Sequence, residues 1–389
     1  MILAVVASGA GAGQGLAQKV DVQGQVRPRM EARDRGGGDD AVAFTTMRVR
    51  AAVDATLEAR ISVFLQLQDV RAWGEETSTI GDFTADQLDL HQGYVKVGFG
   101  TVVSAQVGRQ ETVFGGQRLV GAVDWTPQGR SFDGVRLTVT PGWGRLDFIA
   151  YKLGESSVAA VPEADLVGAY GVVDLGRRNA LDLYVLYDRE AGLQSTDRVT
   201  YGSRLTGDLK GWSYRGEFSL QDGDRRGSSV SAYMMGARVG TSFAGGRATV
   251  TLWFDLLSGD SDGGDGQTKV FDTLFATNHK FYGFADLFLD IPQHTGGLGL
   301  RDKAVKTGYR LTDALQVALD LHQFDLAEQG GFSTSSLGQE LDLTLKYAHS
   351  SNLEFTAGHS LVWSTDPLRA LGRTSGNLHF GYIMLDAFF

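Results

Sequence analysis

Residues 19–33 read Lys19-Val20-Asp21-Val22-Gln23-Gly24-Gln25-Val26-Arg27-Pro28-Arg29-Met30-Glu31-Ala32-Arg33. Val20, Val22, Gly24, Val26, Pro28, Met30 and Ala32 share one parity, and the other carries Asp21, Gln23, Gln25, Arg27, Arg29, Glu31 and Arg33. Side chains of a strand alternate between its two faces, so this segment sets an apolar face against one medium and a row of charges against another. A soluble sheet rarely needs such a strand, since about 5–6 residues is usual there. A strand crossing a membrane needs about 9–11 tilted residues.

The pattern recurs to the last residue. Met47, Val49, Ala51 and Val53 alternate with Arg48, Arg50, Ala52 and Asp54; Leu181, Leu183, Val185 and Tyr187 alternate with Asp182, Tyr184, Leu186 and Asp188. Trp212, Tyr214, Gly216, Phe218 and Leu220 oppose Ser213, Arg215, Glu217, Ser219 and Gln221, while Leu341, Leu343 and Leu345 oppose Glu340, Asp342 and Thr344. No long helical stripe intervenes. Gly/Asp-rich joints such as Gly36-Gly37-Gly38 and Gly223-Asp224 suit an antiparallel meander. In lipid an open sheet leaves backbone groups unpaired, so the fold class is all-β: one transmembrane antiparallel β-barrel. At about 20 residues per strand and connection, 389 residues make 16 to 18 strands, with 18 the expected number and a lumen wide enough for water.

Hydrophobic content of 42% and the absence of an 18-residue apolar run fit a membrane address reached by strands instead of helices. Met1-Ile2-Leu3-Ala4-Val5-Val6-Ala7 and the small-residue run to Ala17 read as a secretory signal over 1–18, without the usual positive n-region, and the barrel is expected over 19–389. The chain has no cysteine, which suits export without proving it. Its end, with Ile383, Leu385, Ala387 and Phe389 on one parity, resembles the terminal strand of Gram-negative outer-membrane proteins, whose final Phe is read by the barrel-assembly machinery.

Net charge is −10, yet 27 arginines outnumber nine lysines, and arginine binds carboxylates in a two-pronged fork. Arg27, Arg29, Arg48, Arg50, Arg136, Arg215 and Arg247 fall on polar parities, whereas acids gather in part between Asp255 and Asp265. A locally cationic lumen inside an acidic protein is therefore expected, with bracing by lumen Asp and Glu as the second use of these arginines.

Two segments carry a family resemblance. Gly108-Arg109-Gln110-Glu111-Thr112-Val113-Phe114-Gly115-Gly116-Gln117-Arg118, continued by Trp125 and by Arg130-Ser131-Phe132-Asp133-Gly134-Val135-Arg136, resembles the alginate-export family of outer-membrane porins. So does Phe271-Asp272-Thr273-Leu274-Phe275-Ala276-Thr277-Asn278-His279-Lys280-Phe281-Tyr282-Gly283-Phe284, around its Asn-His-Lys step. The resemblance spans roughly 20–389. It implies an 18-stranded, monomeric barrel in the bacterial outer membrane whose arginine-bearing lumen passes an anionic uronate polymer passively, with no cofactor. By the same resemblance Arg109, Gln110, Arg118, Arg130, Asp133, Arg136, Asn278, His279 and Lys280 line the pore. A general or sugar-uptake porin, or a plugged structural barrel, stands as the alternative.

Read as chemistry, Arg130 beside Asp133 is expected to form a fixed pair, and His279 is expected to hold an inward loop ahead of touching substrate. Phe281, Tyr282, Phe284 and Phe288 read first as an interfacial girdle and second as sugar-stacking surfaces. Asp260, Asp262 and Asp265 loosely resemble a calcium loop but lack its terminal glutamate, so a solvated loop is expected, with divalent bridging to lipopolysaccharide a secondary role. No Gly-x-Ser-x-Gly or His-Glu-x-x-His occurs, which argues against an enzyme. The expected partners are outer-membrane lipid, lipopolysaccharide, the assembly machinery through Phe389 and an anionic glycan or small solute, and no nucleic acid.

Overall fold

The computed structural model describes residues 19–38, 41–75, 88–157, 161–192 and 195–389, so the signal reading of 1–18 lies outside the described residues. The chain opens with β1 (Lys19–Asp34), β2 (Val42–Glu58), β3 (Ile61–Ala72), β4 (Asp89–Phe99), β5 (Val103–Gln110) and β6 (Phe132–Val139). β7 (Gly144–Gly154), β8 (Ala164–Gly176), β9 (Asn179–Glu190), β10 (Thr196–Leu209), β11 (Trp212–Arg225), β12 (Ser228–Phe243) and β13 (Ala248–Leu257) follow. After the two-residue β14 (Gln267–Thr268) come β15 (Leu300–Arg310), β16 (Leu315–Asp325), β17 (Ser336–Ser350), β18 (Leu353–Ser364) and β19 (Leu378–Phe388).

All except β14 pair with sequence neighbours in antiparallel order, and β1 pairs with β19, closing an 18-stranded barrel. Closure removes the edges that lipid could not hydrate. The opening strand behaves as its alternation dictates: Val20 and Val22 are exposed on the outside, while Arg27 and Arg29 are buried inside. β2 continues the inner face, with Arg27 opposite Arg48 and Gln25 opposite Arg50. Gly223 sits inside β11 at φ +130°, and the turn expected there falls later, at 226–227.

One end of the wall carries turns of two to four residues, such as 177–178 and 351–352; the other carries the longer connections, apart from the two-residue turn 226–227. In outer-membrane barrels the short turns face the periplasm and the long loops the exterior. Two connections, 111–131 and 258–299, fold into the lumen and build the hydrophobic core there. Phe114, Leu119 and Val120 of the first and Phe271, Phe281, Tyr282 and Phe288 of the second pack on the inward-facing Tyr151, Leu166, Tyr170, Tyr184 and Leu186. The girdle reading of Phe281, Tyr282, Phe284 and Phe288 is thereby corrected. Those rings point into the loop core, and Phe281, Tyr282 and Phe288 are at most 1% exposed.

Candidate functional site

A buried loop must have its backbone polar groups satisfied. Here the wall supplies the partners. Arg27 donates to the carbonyls of Asp124 at 2.7 Å and Thr126 at 3.0 Å; Arg29 donates to the Trp125 carbonyl and stacks over that indole at 4.3 Å. Arg48 holds the Asp124 carboxylate at 2.9 Å, and Arg50 holds the same carboxylate at 3.4 Å and the Gln128 carbonyl at 3.3 Å. The arginines of the opening strands therefore clamp the first loop. At 1% exposure for Arg48 and 5% for Arg27 they do not face the water path.

The second loop is held by acids as well as arginines: Arg33 donates to the Ala285 carbonyl at 2.7 Å and Arg198 binds the Asp272 carboxylate at 3.0 Å. Glu340 accepts from the Ala285 amide at 2.7 Å and Asp342 from that of Phe284 at 3.4 Å. Between them the loops are zipped: Val120 bridges Phe275, and the Thr277 hydroxyl donates to Gln117 Oε1 at 2.8 Å. Asn278 donates to Thr273 Oγ1 and to the Leu289 carbonyl, both at 2.8 Å. His279 lies 2.6 Å from Asp286 and is stacked between Trp125 and Phe284, the loop-holding role expected of it. Of the Asn-His-Lys step, only Lys280 projects into open lumen.

Arg118 is also a fastener. It is 1% exposed, donating to Asp255 at 2.9 Å, Tyr282 at 2.8 Å and Glu217 at 3.2 Å, with Phe281 stacked on it at 4.1 Å. Glu217, Gly236 and Asp255 form one cross-strand row, and the side chain missing at Gly236 leaves room for the Asp255 carboxylate, with the Arg118 guanidinium in contact beyond it. Asp255 thus belongs to the lumen wall, not to the acidic loop that follows it.

Several sequence-expected placements are corrected. Arg109 and Asp133 pair with each other at 2.7 Å across β5 and β6, on the parity of Val107 and Val135, outside the lumen; the expected Arg130–Asp133 pair does not form. Gln110 is fully buried and reaches the carbonyls of Gly108 and Gly134 at 3.3 and 3.4 Å. Arg247 lies in the exposed β12–β13 turn, binding the Leu311 carbonyl at 2.8 Å. Asp260, Asp262 and Asp265 each cap their own loop backbone, and no group of three or more His, Asp or Glu converges on a metal position among the described residues.

What faces the remaining space is a cation cluster around Trp253. The guanidinium of Arg215 lies 4.3 Å from that ring, that of Arg238 at 5.5 Å, and the ammonium of Lys306, on β15, at 5.3 Å. Arg204 stands beside them, and a Cβ at Gly116 of the first loop would lie in van der Waals contact with Arg215 Nη1 and Arg204 Nε. Burial and the surrounding Arg215, Arg238, Arg204 and Arg118 hold Lys280 below the ordinary lysine pKa. Acids temper part of this charge: Asp182 binds Arg204 at 2.8 Å, Asp320 binds Lys306 at 3.1 Å, and Glu217 stands 4.0 Å from Arg215. Arg238 and Lys280 have no ion pair among the described residues, and Nε of Arg204, Arg215 and Arg238 and Nη2 of Arg215 are buried without a hydrogen-bond partner. Buried donors of this kind call for an acceptor, and a passing anion supplies one. Arg130 adds a further half-buried cation, which donates to the Ala276 carbonyl at 3.3 Å and lies 5.7 Å over the Phe275 ring.

Polar cavities flank this level. One of about 540 Å³ at the short-turn mouth is lined by Thr56, Lys96, Gln106, Arg136, Thr138 and Arg145, with Arg136 bound to Asp147 at 2.8 Å. Another of about 920 Å³ on the loop side is lined by Arg225, Arg226, Asp260, Asp290, Gln293 and Leu298. Arg204, Arg238, Lys306 and Trp253 were not singled out by motif, although strand parity alone places all four inside.

The profile of a family described as alginate export matches residues 18–381. No curated protein matches. Among solved structures the fold is similar to three Pseudomonas aeruginosa proteins. OpdO is 16% identical (TM-score 0.69, covering 96% of this chain and 98% of that one), and the outer membrane protein OprD is 12% identical (0.67, 96% and 95%). OccK2 (OpdF), solved in complex with glucuronate, is 13% identical (0.62, 97% and 99%).

Proposed function

We propose, from the premise that the chain belongs to the alginate export family of outer-membrane barrels, that it is a passive, anion-selective channel for carboxylated sugars. The observation that carries this reading is the set Arg215, Arg238 and Lys280 around Trp253: among the described residues Arg238 and Lys280 have no ion pair, and Arg215 keeps two buried donors without an acceptor. A uronate offers a carboxylate to a guanidinium fork and a flat C–H face to an aromatic ring, and both are present here within one side-chain length. The acidic net charge of −10 does not oppose this, because a narrow low-dielectric passage feels its nearest charges most. The two packed loops narrow the lumen, which supports passage of single sugar acids or one extended chain over bulky solutes. The glucuronate bound to the structurally similar OccK2 points to the same chemical class. The barrel works as a monomer and uses no cofactor in this reading.

Planar-bilayer recording in a salt gradient tests it. The wild-type reversal potential should favour anions, and Arg215→Glu with Arg238→Glu and Lys280→Glu should turn it toward cations. Arg109→Glu, on the outer wall, should leave it unchanged. Absence of current after confirmed insertion would remove the channel; unchanged selectivity in the triple variant would remove the cluster. Because Lys280 gives up its proton at lower pH than a free lysine while the arginines stay charged, anion preference should fall as pH rises from 7 toward 10.5. Lys280→Met should abolish that pH dependence, as read from reversal potentials across the range.

A further inference from the structure

The outer wall carries a row of charges that the pore does not use. Directly paired residues run Arg109–Asp133–Lys152–Asp165–Arg189–Asp197–Asp224 across seven consecutive strands, β5 to β11. Signs alternate through the first six positions. All seven lie on the outward parity, and each stands within two residues of the loop-side end of its strand. The next row toward the short turns is Val107–Val135–Ala150–Val167–Tyr187–Val199, apolar over β5 to β10 apart from one hydroxyl, and it ends on β11 at Asp222, which accepts from the Tyr201 hydroxyl at 2.8 Å. The charged row is therefore the loop-side border of the surface that faces acyl chains, and that border is where outer-leaflet headgroups have to meet the wall.

Ion pairs tie the row together in part. Arg109 binds Asp133 at 2.7 Å, and Lys152 binds Asp165 at 3.0 Å and also Glu163. Arg189 makes no ion pair among the described residues and is exposed. Cations on alternate strands stand about 10 Å apart, given about 4.8 Å between neighbours. β5 and β6 have only eight residues each, fewer than the about 9–11 that a tilted spanning strand uses.

We infer that this row is a docking edge for the phosphorylated headgroups of lipopolysaccharide, held as a layer with divalent cations. A layer in which anionic phosphates alternate with divalent cations presents both signs to the wall. Arg109, Lys152 and Arg189 take phosphate oxygens directly, and Asp133, Asp165 and Asp197 take the bridging cations. A second copy of the barrel is disfavoured as occupant, because the row wraps around a convex wall that a rigid neighbour meets over only a few strands. Lipid headgroups follow the curve. The inference concerns the outside of the barrel and does not rest on the channel reading.

The test is titration of the purified, detergent-solubilised barrel with lipopolysaccharide and with its dephosphorylated form, in magnesium and in chelator. Wild type should bind the phosphorylated form at least about tenfold more tightly, on a scale of about 1 kcal/mol per basic residue near an anionic surface. Arg109→Glu with Lys152→Glu and Arg189→Glu should remove that preference, and chelator should weaken wild-type binding several-fold. Asp133→Asn with Asp165→Asn and Asp197→Asn should retain binding and lose its chelator sensitivity. Equal binding of both lipid forms by wild type, or unchanged binding by the cation-reversed variant, would overturn the inference. If the reversed variant does not fold, Arg109→Gln with Lys152→Gln and Arg189→Gln serves in its place, and the wild-type comparison of the two lipid forms decides without any variant.

Discussion

Arg118→Ala should detach the first lumen loop from its wall and raise single-channel conductance. The side chain reaches from that loop to Asp255 and Glu217, which are themselves 0% and 4% exposed at the side chain. Truncation removes the cation that both buried carboxylates share, leaving Asp255 the Trp253 indole N–H at 2.7 Å and Glu217 the more distant Arg215 at 4.0 Å; breaking a buried pair costs about 3–5 kcal/mol. The cheapest relief is local: water enters, the loop lifts, and the barrel wall, held by its own ladder, stays closed. Conductance in planar bilayers should therefore rise while the folded, heat-sensitive gel band persists. Arg118→Met combined with Glu217→Gln and Asp255→Asn removes charge from all three partners and should restore most of the lost order. Wild-type conductance in Arg118→Ala would show that the loop does not depend on this fastener.

Gly24→Leu should weaken the barrel at its seam. Gly24 and Phe389 exchange backbone hydrogen bonds at 2.8 and 3.1 Å, the last pair closing β1 against the C-terminal strand. The tip of the Phe389 ring lies over Gly24, and a Cβ at position 24 would collide with it. A side chain there must turn the ring aside, and because Phe389 is 71% exposed the cost falls at the low end of the about 1–3 kcal/mol of overpacking. Thermal or urea unfolding, followed by the gel shift, should move to milder conditions for Gly24→Leu. Phe389→Ala should make Gly24→Leu nearly neutral, because the two share one contact. Equal losses for Gly24→Leu in both backgrounds would mean that the ring is not the obstacle.

Period-two alternation was sufficient for the wall, because lipid on one face and polar lumen on the other leave a strand no second way to sit. It even separates Arg109 from Arg136. Arg109 shares parity with Val107 and faces out; Arg136 alternates with Val135 and Leu137 and faces in. Motif resemblance grouped them as pore residues, and parity was the better guide. The same rule reaches Arg238, which alternates with Ala237 and Val239, and Arg204, which alternates with Ser203 and Leu205.

The lumen loops were not legible in that way. Segments 111–131 and 258–299 have no repeat, so nothing in their order says that Phe281 and Tyr282 turn inward instead of toward the membrane interface. Nor does the sequence show that Arg27 and Arg48 spend their donors on loop carbonyls. That depends on Asp124 to Gln128 arriving from some 75 to 100 positions away. Charge on an inner face can be read from sequence; whether it is already neutralised depends on what the loops bring to it.

The zipped loops have a mechanical consequence. A closed sheet one chain thick resists stretching around its circumference, because hydrogen bonds lie along that direction, but it flattens easily under sideways load. Here the first loop is pinned to β1 and β2, the second to β17, and Arg118 ties both to β11 and β13. Packed side chains between those anchors compress very little. Lateral pressure from the bilayer is then borne by an internal strut, and the cross-section beside it keeps its shape as membrane tension changes.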